Sequence, residues 1–218
     1  MKIGHLTLLS QSPAAEANWN MAIDEAILLT SEVSTLRCYR WRRPAVSFGY
    51  FVKWDSVAEV YPSTPLVRRW TGGGIVEHGE DFTYSLVIPS IIGQPKTIEL
   101  YSQVHLRIAD ALRESGQPVE ITASPEDPVS AACFDRAVKF DLKLAGQKIA
   151  GAAVRRHQRG ILLQGSIQRV TIPTGFETML AVALSNETAM RPLPLPALNL
   201  AAQLAGEKYG SEVWNRRF

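Results

Sequence analysis

Cysteine is scarce in this sequence, with Cys38 and Cys133 the only two in 218 residues. They form no CxxC pair and no Cys/His array at zinc spacing, which argues against a disulfide scaffold and a structural metal site and fits a reducing compartment. Long apolar runs are also missing. The start MKIGHLTLLSQS lacks a signal-peptide core, and no stretch approaches the ~20 apolar residues that span a bilayer, so a cytoplasmic location without a membrane partner is expected. Neither sign of charge is in excess. The 23 Lys plus Arg against 21 Asp plus Glu leave a net charge of +2, too small to imply nucleic-acid binding by overall charge. The remaining composition, 46% hydrophobic with 15 Gly and 13 Pro, is average for a globular protein and excludes collagen, coiled coil and disorder. The length suits a single domain over 1–218.

What is present is a hydrophobic period that switches repeatedly between helix and strand. Trp19, Ala22, Ile23, Ala26, Ile27 and Leu29 recur at helical spacing within Asn18–Ser31, with Asn20, Asp24 and Glu25 between them. A second long helix is expected over Thr97–Ser115, striped by Leu100, Val104, Ile108 and Leu112, and shorter ones near Phe176–Leu184 and from Ala197. Leu36–Trp41, Ala45–Tyr50, Phe82–Ile88, Val138–Leu144, Lys148–Val154 and Ile161–Ile167 carry the strand signal. Connections as short as Arg42-Arg43-Pro44 suit antiparallel pairing and cannot hold parallel crossovers. The fold class expected is therefore α+β, a mixed, largely antiparallel sheet with flanking helices. Residues 116–132 read as an ordered loop, and the Pro192, Pro194 and Pro196 alternation reads as extended.

The densest local signal is Val67-Arg68-Arg69-Trp70-Thr71-Gly72-Gly73-Gly74-Ile75-Val76-Glu77-His78. Three consecutive glycines permit unusual backbone angles and let a ligand approach main-chain N–H groups; beside two arginines this suits an anion or polar headgroup. A plain turn with solvated arginines is the alternative. The segment is neither a Walker A loop nor GxGxxG. His78 fits a structural hydrogen-bonder or a catalytic group, and the lack of a second His or Cys close by in sequence argues against a metal there.

Cys38 sits inside an apolar strand pattern and reads as core, whereas Cys133 leaves the long loop in Ala131-Ala132-Cys133-Phe134-Asp135. Lys148 follows among small residues in Gly146-Gln147-Lys148-Ile149-Ala150-Gly151-Ala152. A hairpin turning at Ala145-Gly146 would bring it toward Cys133. A cysteine of pKa ~8.5 is only ~3% thiolate at pH 7, and a nearby ammonium that lowers it to ~7 makes it ~50% thiolate. That pair would serve acyl transfer.

RRWTGGGIVEHGEDFTYSL together with GQKIAGAAVRR resembles the biotin/lipoate ligase superfamily, in its lipoate ligase and octanoyltransferase branch. NWNMAIDEAIL and LRCYRWRRPAVSFGY resemble that branch's N-terminal helix and following hairpin, so the likeness runs over a core of about 18–167, with 168–218 packing on it. The resemblance implies a class II synthetase-like catalytic domain. It also implies that Arg69, Gly72, Gly73, Gly74, His78 and Gly151 line the acyl and headgroup pocket, and that Lys148 contacts the reacting carbonyl or phosphate.

Two chemistries exist in the branch. Ligases use ATP and Mg2+ to adenylate a free acid; transferases take octanoyl from acyl carrier protein through a cysteine thioester and need no cofactor. The ACFD segment resembles the nucleophile loop of LipM-type octanoyltransferases, while Gly74 keeps the GGG of ligases where many of these transferases carry Arg. The reading placed first is octanoyl, or lipoyl, transfer through Cys133 and Lys148 to a lysine of a lipoyl domain, in 2-oxoacid dehydrogenases or the glycine cleavage H protein. The alternatives are an ATP-dependent ligase and a non-catalytic protein that binds an acyl chain or a lipoyl domain. Arg68, Arg155, Arg156 and Arg159 form a candidate basic rim for an acidic acceptor.

Overall fold

The computed structural model describes residues 2–10, 12–93, 95–124 and 137–218. Among these, eight strands form one mixed sheet and three a smaller one. The large sheet contains β1 (Ile3–Leu9), β2 (Ser34–Tyr39), β6 (Phe82–Pro89), β7 (Glu120–Ile121), β8 (Leu142–Leu144), β9 (Gln147–His157), β10 (Gly160–Ile167) and β11 (Ser185–Arg191). Their order is β11-β1-β2-β6-β10-β9-β8-β7, parallel across β11-β1-β2 and antiparallel from there on. The small sheet is β4 (Leu66–Arg68), β3 (Ala45–Phe48) and β5 (Ile75–His78), with β3 central.

Strand alternation explains how the large sheet is covered. Phe82, Tyr84, Leu86 and Ile88 of β6, with Ile161, Leu163 and Ile167 of β10, share one apolar core with Leu100, Val104, Ile108 and Leu112 of α3 (Thr97–Glu114) and Phe176 and Leu180 of α4 (Phe176–Leu184). The intervening positions Thr83, Ser85, Gln164 and Ser166 are also buried, yet polar. A buried polar face needs hydrogen-bond partners, and here they come from the covering layer of α1 (Ala17–Thr30) and the small sheet.

The helix α1 is buried on its polar side too. Asp24 accepts from Arg37 at 2.8 Å, Tyr39 at 2.9 Å, Ser85 at 2.8 Å and Gln164 at 2.7 Å. Two further helices are the short α2 (Trp54–Ala58) and α5 (Leu195–Leu204), which packs along α1.

Several expectations need correction. β2 and β3 are not a hairpin but belong to different sheets; Pro44 offers no N–H and keeps Arg43 extended, so the chain crosses from one sheet to the other instead of turning back. Regular strand in 138–144 is confined to Leu142–Leu144, because Phe140 takes φ 74° and the Asp141 carboxylate accepts the Val138 N–H at 2.7 Å. Pro196 lies in the first turn of α5, where a missing N–H costs nothing. A parallel crossover does occur, carried by α1 between β1 and β2.

The terminal segment grips the glycine region. After α6 (Glu212–Asn215) is reached, the Arg68 guanidinium is found fully buried, donating to Asn215 O at 2.8 Å, Tyr50 O at 2.8 Å, Val52 O at 2.6 Å and Trp214 O at 3.2 Å. Arg68 therefore takes no part in a surface rim. Arg68→Met leaves these carbonyls without a donor and should lower unfolding stability by about 2 kcal/mol or more, read from urea denaturation. A loss under about 0.5 kcal/mol would show the contacts to be replaceable by water.

Candidate active site

Arg69 follows β4 and turns back beneath the glycine segment. Its guanidinium donates to Gly72 O at 3.1 Å, Gly74 O at 2.8 Å and Ser47 Oγ at 2.7 Å. The loop it organises needs glycine in two places. Gly73 has φ 88°, and Gly49 lies so close that an added Cβ would stand 1.9 Å from Gly73 O.

Between this loop, α1 and the large sheet lies a narrow, mainly apolar cavity, about 460 Å3 with its open mouth included. Gly151, Ala152 and Ala153 of β9 wall one end, Gln164 and Ser166 of β10 and Thr83 of β6 the middle, and Tyr39, Trp41 and Met21 the other end. Gly73, Arg69, Val76 and His78 cover it. Of the residues expected to line a pocket, Arg69, Gly73, His78 and Gly151 meet here. Gly72 and Gly74 do not line it; their carbonyls turn toward Arg69 instead.

His78 uses both ring nitrogens. Nε2 lies 2.6 Å from Ser47 Oγ, Nδ1 lies 2.8 Å from Asp81 Oδ2, and the ring stacks on Trp41 at 3.8 Å between centroids. Because Arg69 donates to Ser47, the Ser47 hydroxyl is free to donate to Nε2, leaving the Nδ1 proton directed at Asp81. Burial pushes the His78 pKa down, in keeping with a neutral ring. Burial alone would raise Asp81, but hydrogen bonds from His78, Ser166 and Thr83 outweigh it and hold the carboxylate below the usual range. The group is thus a rigid polar wall of the cavity. Among the described residues no group of three or more His, Cys, Asp or Glu is arranged to hold a metal ion.

Lys148 is buried behind Gly151. Its Nζ lies 2.8 Å from Asp141 Oδ2, and Asp141 also accepts the Tyr101 hydroxyl, which in turn accepts the Ala152 N–H at 3.2 Å. Residue 151 has to be small here, since a Cβ would stand 2.9 Å from Lys148 Nζ. The β8–β9 hairpin that delivers Lys148 turns at Ala145 and Gly146, with φ 49° and 78°, as a two-residue turn of the type that fits twisted strands. Cys133 lies outside the described residues, so its distance to Lys148 is not part of this geometry.

Sequence reasoning missed Asp141 and Asp24. Asp141 sits within an apolar strand-like stretch. Asp24 lies on a helix, off its apolar stripe, where no role was read for it; its signal was company, Asn20 and Glu25 beside it on α1, both buried as well.

Comparison with known proteins follows the same lines. The model of the lipoyl protein ligase A/B catalytic domain matches residues 16–206. A protein of Symbiobacterium thermophilum named octanoyltransferase LipM is 37% identical over 178 residues, 73% of this chain and 64% of its own length. One from Exiguobacterium sp. with the same name is 38% identical over 181 residues, 75% and 64% respectively. The chain thus spans just under two thirds of the length of these relatives. Among solved structures, a T. acidophilum protein with bound lipoic acid superposes at a TM-score of 0.76 with 21% identity over the whole of both chains. A lipoate-protein ligase A bound with ATP gives 0.71 with 20% identity over 99% of each. Glycine loop, lysine hairpin and every strand of the mixed sheet but β1 fall within the matched span, and the chain belongs to the lipoyl protein ligase A/B catalytic domain family.

Proposed function

We propose that this chain is an octanoyltransferase of lipoate metabolism, working as one catalytic unit over 1–218, that moves an octanoyl group from acyl carrier protein to a lysine of a lipoyl domain. The observation that carries the reading is the buried Lys148 ammonium, fixed by Asp141 at 2.8 Å and separated from an apolar cavity only by Gly151. The relatives named octanoyltransferase support it.

The roles follow from the chemistry. The Cys133 thiolate attacks the thioester carbonyl of octanoyl-acyl carrier protein, Lys148 stabilises the tetrahedral oxyanion, and the carrier thiol leaves as the octanoyl-Cys133 thioester remains. The neutral amine of the acceptor lysine then attacks that thioester, forms the amide, loses its proton and frees the cysteine. The octanoyl tail occupies the cavity walled by Gly73, Ala153 and Trp41. A thioester is already activated, so no ATP is consumed. A free thiol nucleophile belongs in a reducing compartment such as the cytoplasm. Arg155, Arg156 and Arg159 of the expected basic rim, on or just after β9, remain as charges for acceptor docking.

Intact-mass measurement tests this reading. Mixing with octanoyl-acyl carrier protein should add one octanoyl group, removed on addition of a lipoyl domain and never formed in Cys133→Ala. Wild-type transfer by Cys133→Ala, or activity only with ATP, Mg2+ and a free acid, would replace it with the ligase reading.

A further inference from the structure

The cavity runs across the strands rather than along them. From Gly151 on β9 through Ser166 on β10 and Thr83 on β6 to Tyr39 on β2 it crosses three interstrand steps, about 14 Å at ~4.8 Å each. Lys148 stands at the β9 end, behind Gly151, so a chain whose carbonyl sits beside Lys148 points its last carbons toward β2.

Three side chains wall that far end, and they are not equally free. Tyr39 donates to Asp24 at 2.9 Å and carries the Arg37 guanidinium 3.8 Å over its ring. Trp41 donates to Thr83 at 2.8 Å and stacks on His78. Each is locked into a buried polar network. Met21 is buried on α1 in the same apolar cluster as Tyr39 and Trp41, is unbranched, and among the described residues its polar contact is a weak one from Gln164 Nε2 to its sulfur at 3.5 Å. It supplies the adjustable apolar volume at the end of the cavity.

Resting on the acyl-cavity reading above, we propose that Met21 sets the acyl-chain length this protein accepts, closing the cavity behind the terminal methyl of an eight-carbon chain. Trimming it opens room for about two more methylenes, and enlarging it takes room away. Each methylene brought into apolar contact is worth ~0.8 kcal/mol, about 4-fold in affinity.

The test compares binding of saturated fatty acids of six to twelve carbons to the full chain by calorimetry, which does not require transfer. Wild type should favour octanoate. Met21→Ala should raise the decanoate-to-octanoate affinity ratio about 15-fold, and Met21→Phe should lower the octanoate-to-hexanoate ratio. Because ratios are taken within one variant, a general loss of stability cancels. Unchanged ratios in both variants, with octanoate still bound by wild type, would overturn the role of Met21 and leave the acyl-cavity reading standing. If wild type binds none of the acids, that reading falls and the proposal with it.

Discussion

On the proposed transfer mechanism, Lys148→Ala is expected to slow formation of the octanoyl-enzyme about 100-fold or more, because in that mechanism the ammonium meets the developing oxyanion and favours the thiolate. The buried environment makes the effect large. Nζ is fixed by a fully buried carboxylate, so the ammonium is held in place before substrate arrives. The structure offers a second route to the same result. Gly151→Ala puts a methyl 2.8–2.9 Å from Cε and Nζ, the movable end of a side chain, so the lysine shifts while the fold stays. Single-turnover rates should fall in both variants, and Gly151→Ala, which keeps an ammonium beside Asp141, should lose less thermal stability than Lys148→Ala. A Gly151→Ala enzyme that loads at the wild-type rate would show that the position of Nζ is not critical.

Stability should fall on mild acidification, with buried His105 a contributor whose share can be followed. His105 is wholly buried on α3; Nδ1–H donates to Phe140 O at 2.8 Å and Nε2 faces the Tyr84 hydroxyl at 3.1 Å. Tyr101 packs against its ring, and Asp141 and Lys148 are its charged neighbours. Burial pushes its pKa down to about 4, against about 6.5 in an unfolded chain. Above pH 6.5 both states are neutral there and nothing is lost. As pH falls the unfolded state takes up the proton first, so stability is lost between about 6.5 and 4, roughly 2 kcal/mol of it by pH 5. His78, also lowered by burial, adds to the loss in the same direction, and Asp81 adds to it only below about pH 4. Urea unfolding at pH 7 and pH 5 should show this drop, and His105→Gln should shrink it even if that variant is weaker at both. An equal drop in His105→Gln would assign the acid limb elsewhere.

What could be read from the sequence followed physical pattern. Phe176–Leu184 and the Ala145-Gly146 turn were legible because helical spacing and turn residues are local signals. The strand Ser185–Arg191 was not: SNETAMR lies largely exposed at the sheet edge and carries no apolar alternation. The site divides the same way. Arg69, Gly73, His78 and Gly151 stood out by motif, and the structure gathers them around one cavity. Gly72 and Gly74 carried the same motif signal, yet only φ 88° at Gly73 marks which glycine faces inward. Asp24 and Asp141 were invisible because a buried carboxylate is recognised by partners distant in sequence, such as Gln164, 140 positions away.

The grip of the terminal segment on the glycine region also orders events in time. Arg68 finds its acceptors 147 positions later at Asn215, Lys208 reaches back 183 positions to Glu25, and Asn18 bonds Ala205 across 187. Contacts of such separation close late and slow folding. During synthesis the glycine loop waits for residues made about 147 positions later, and α1 waits with it. The helices and hairpins can form as they appear, but the braced loop cannot be completed until Asn215 has cleared the ribosome.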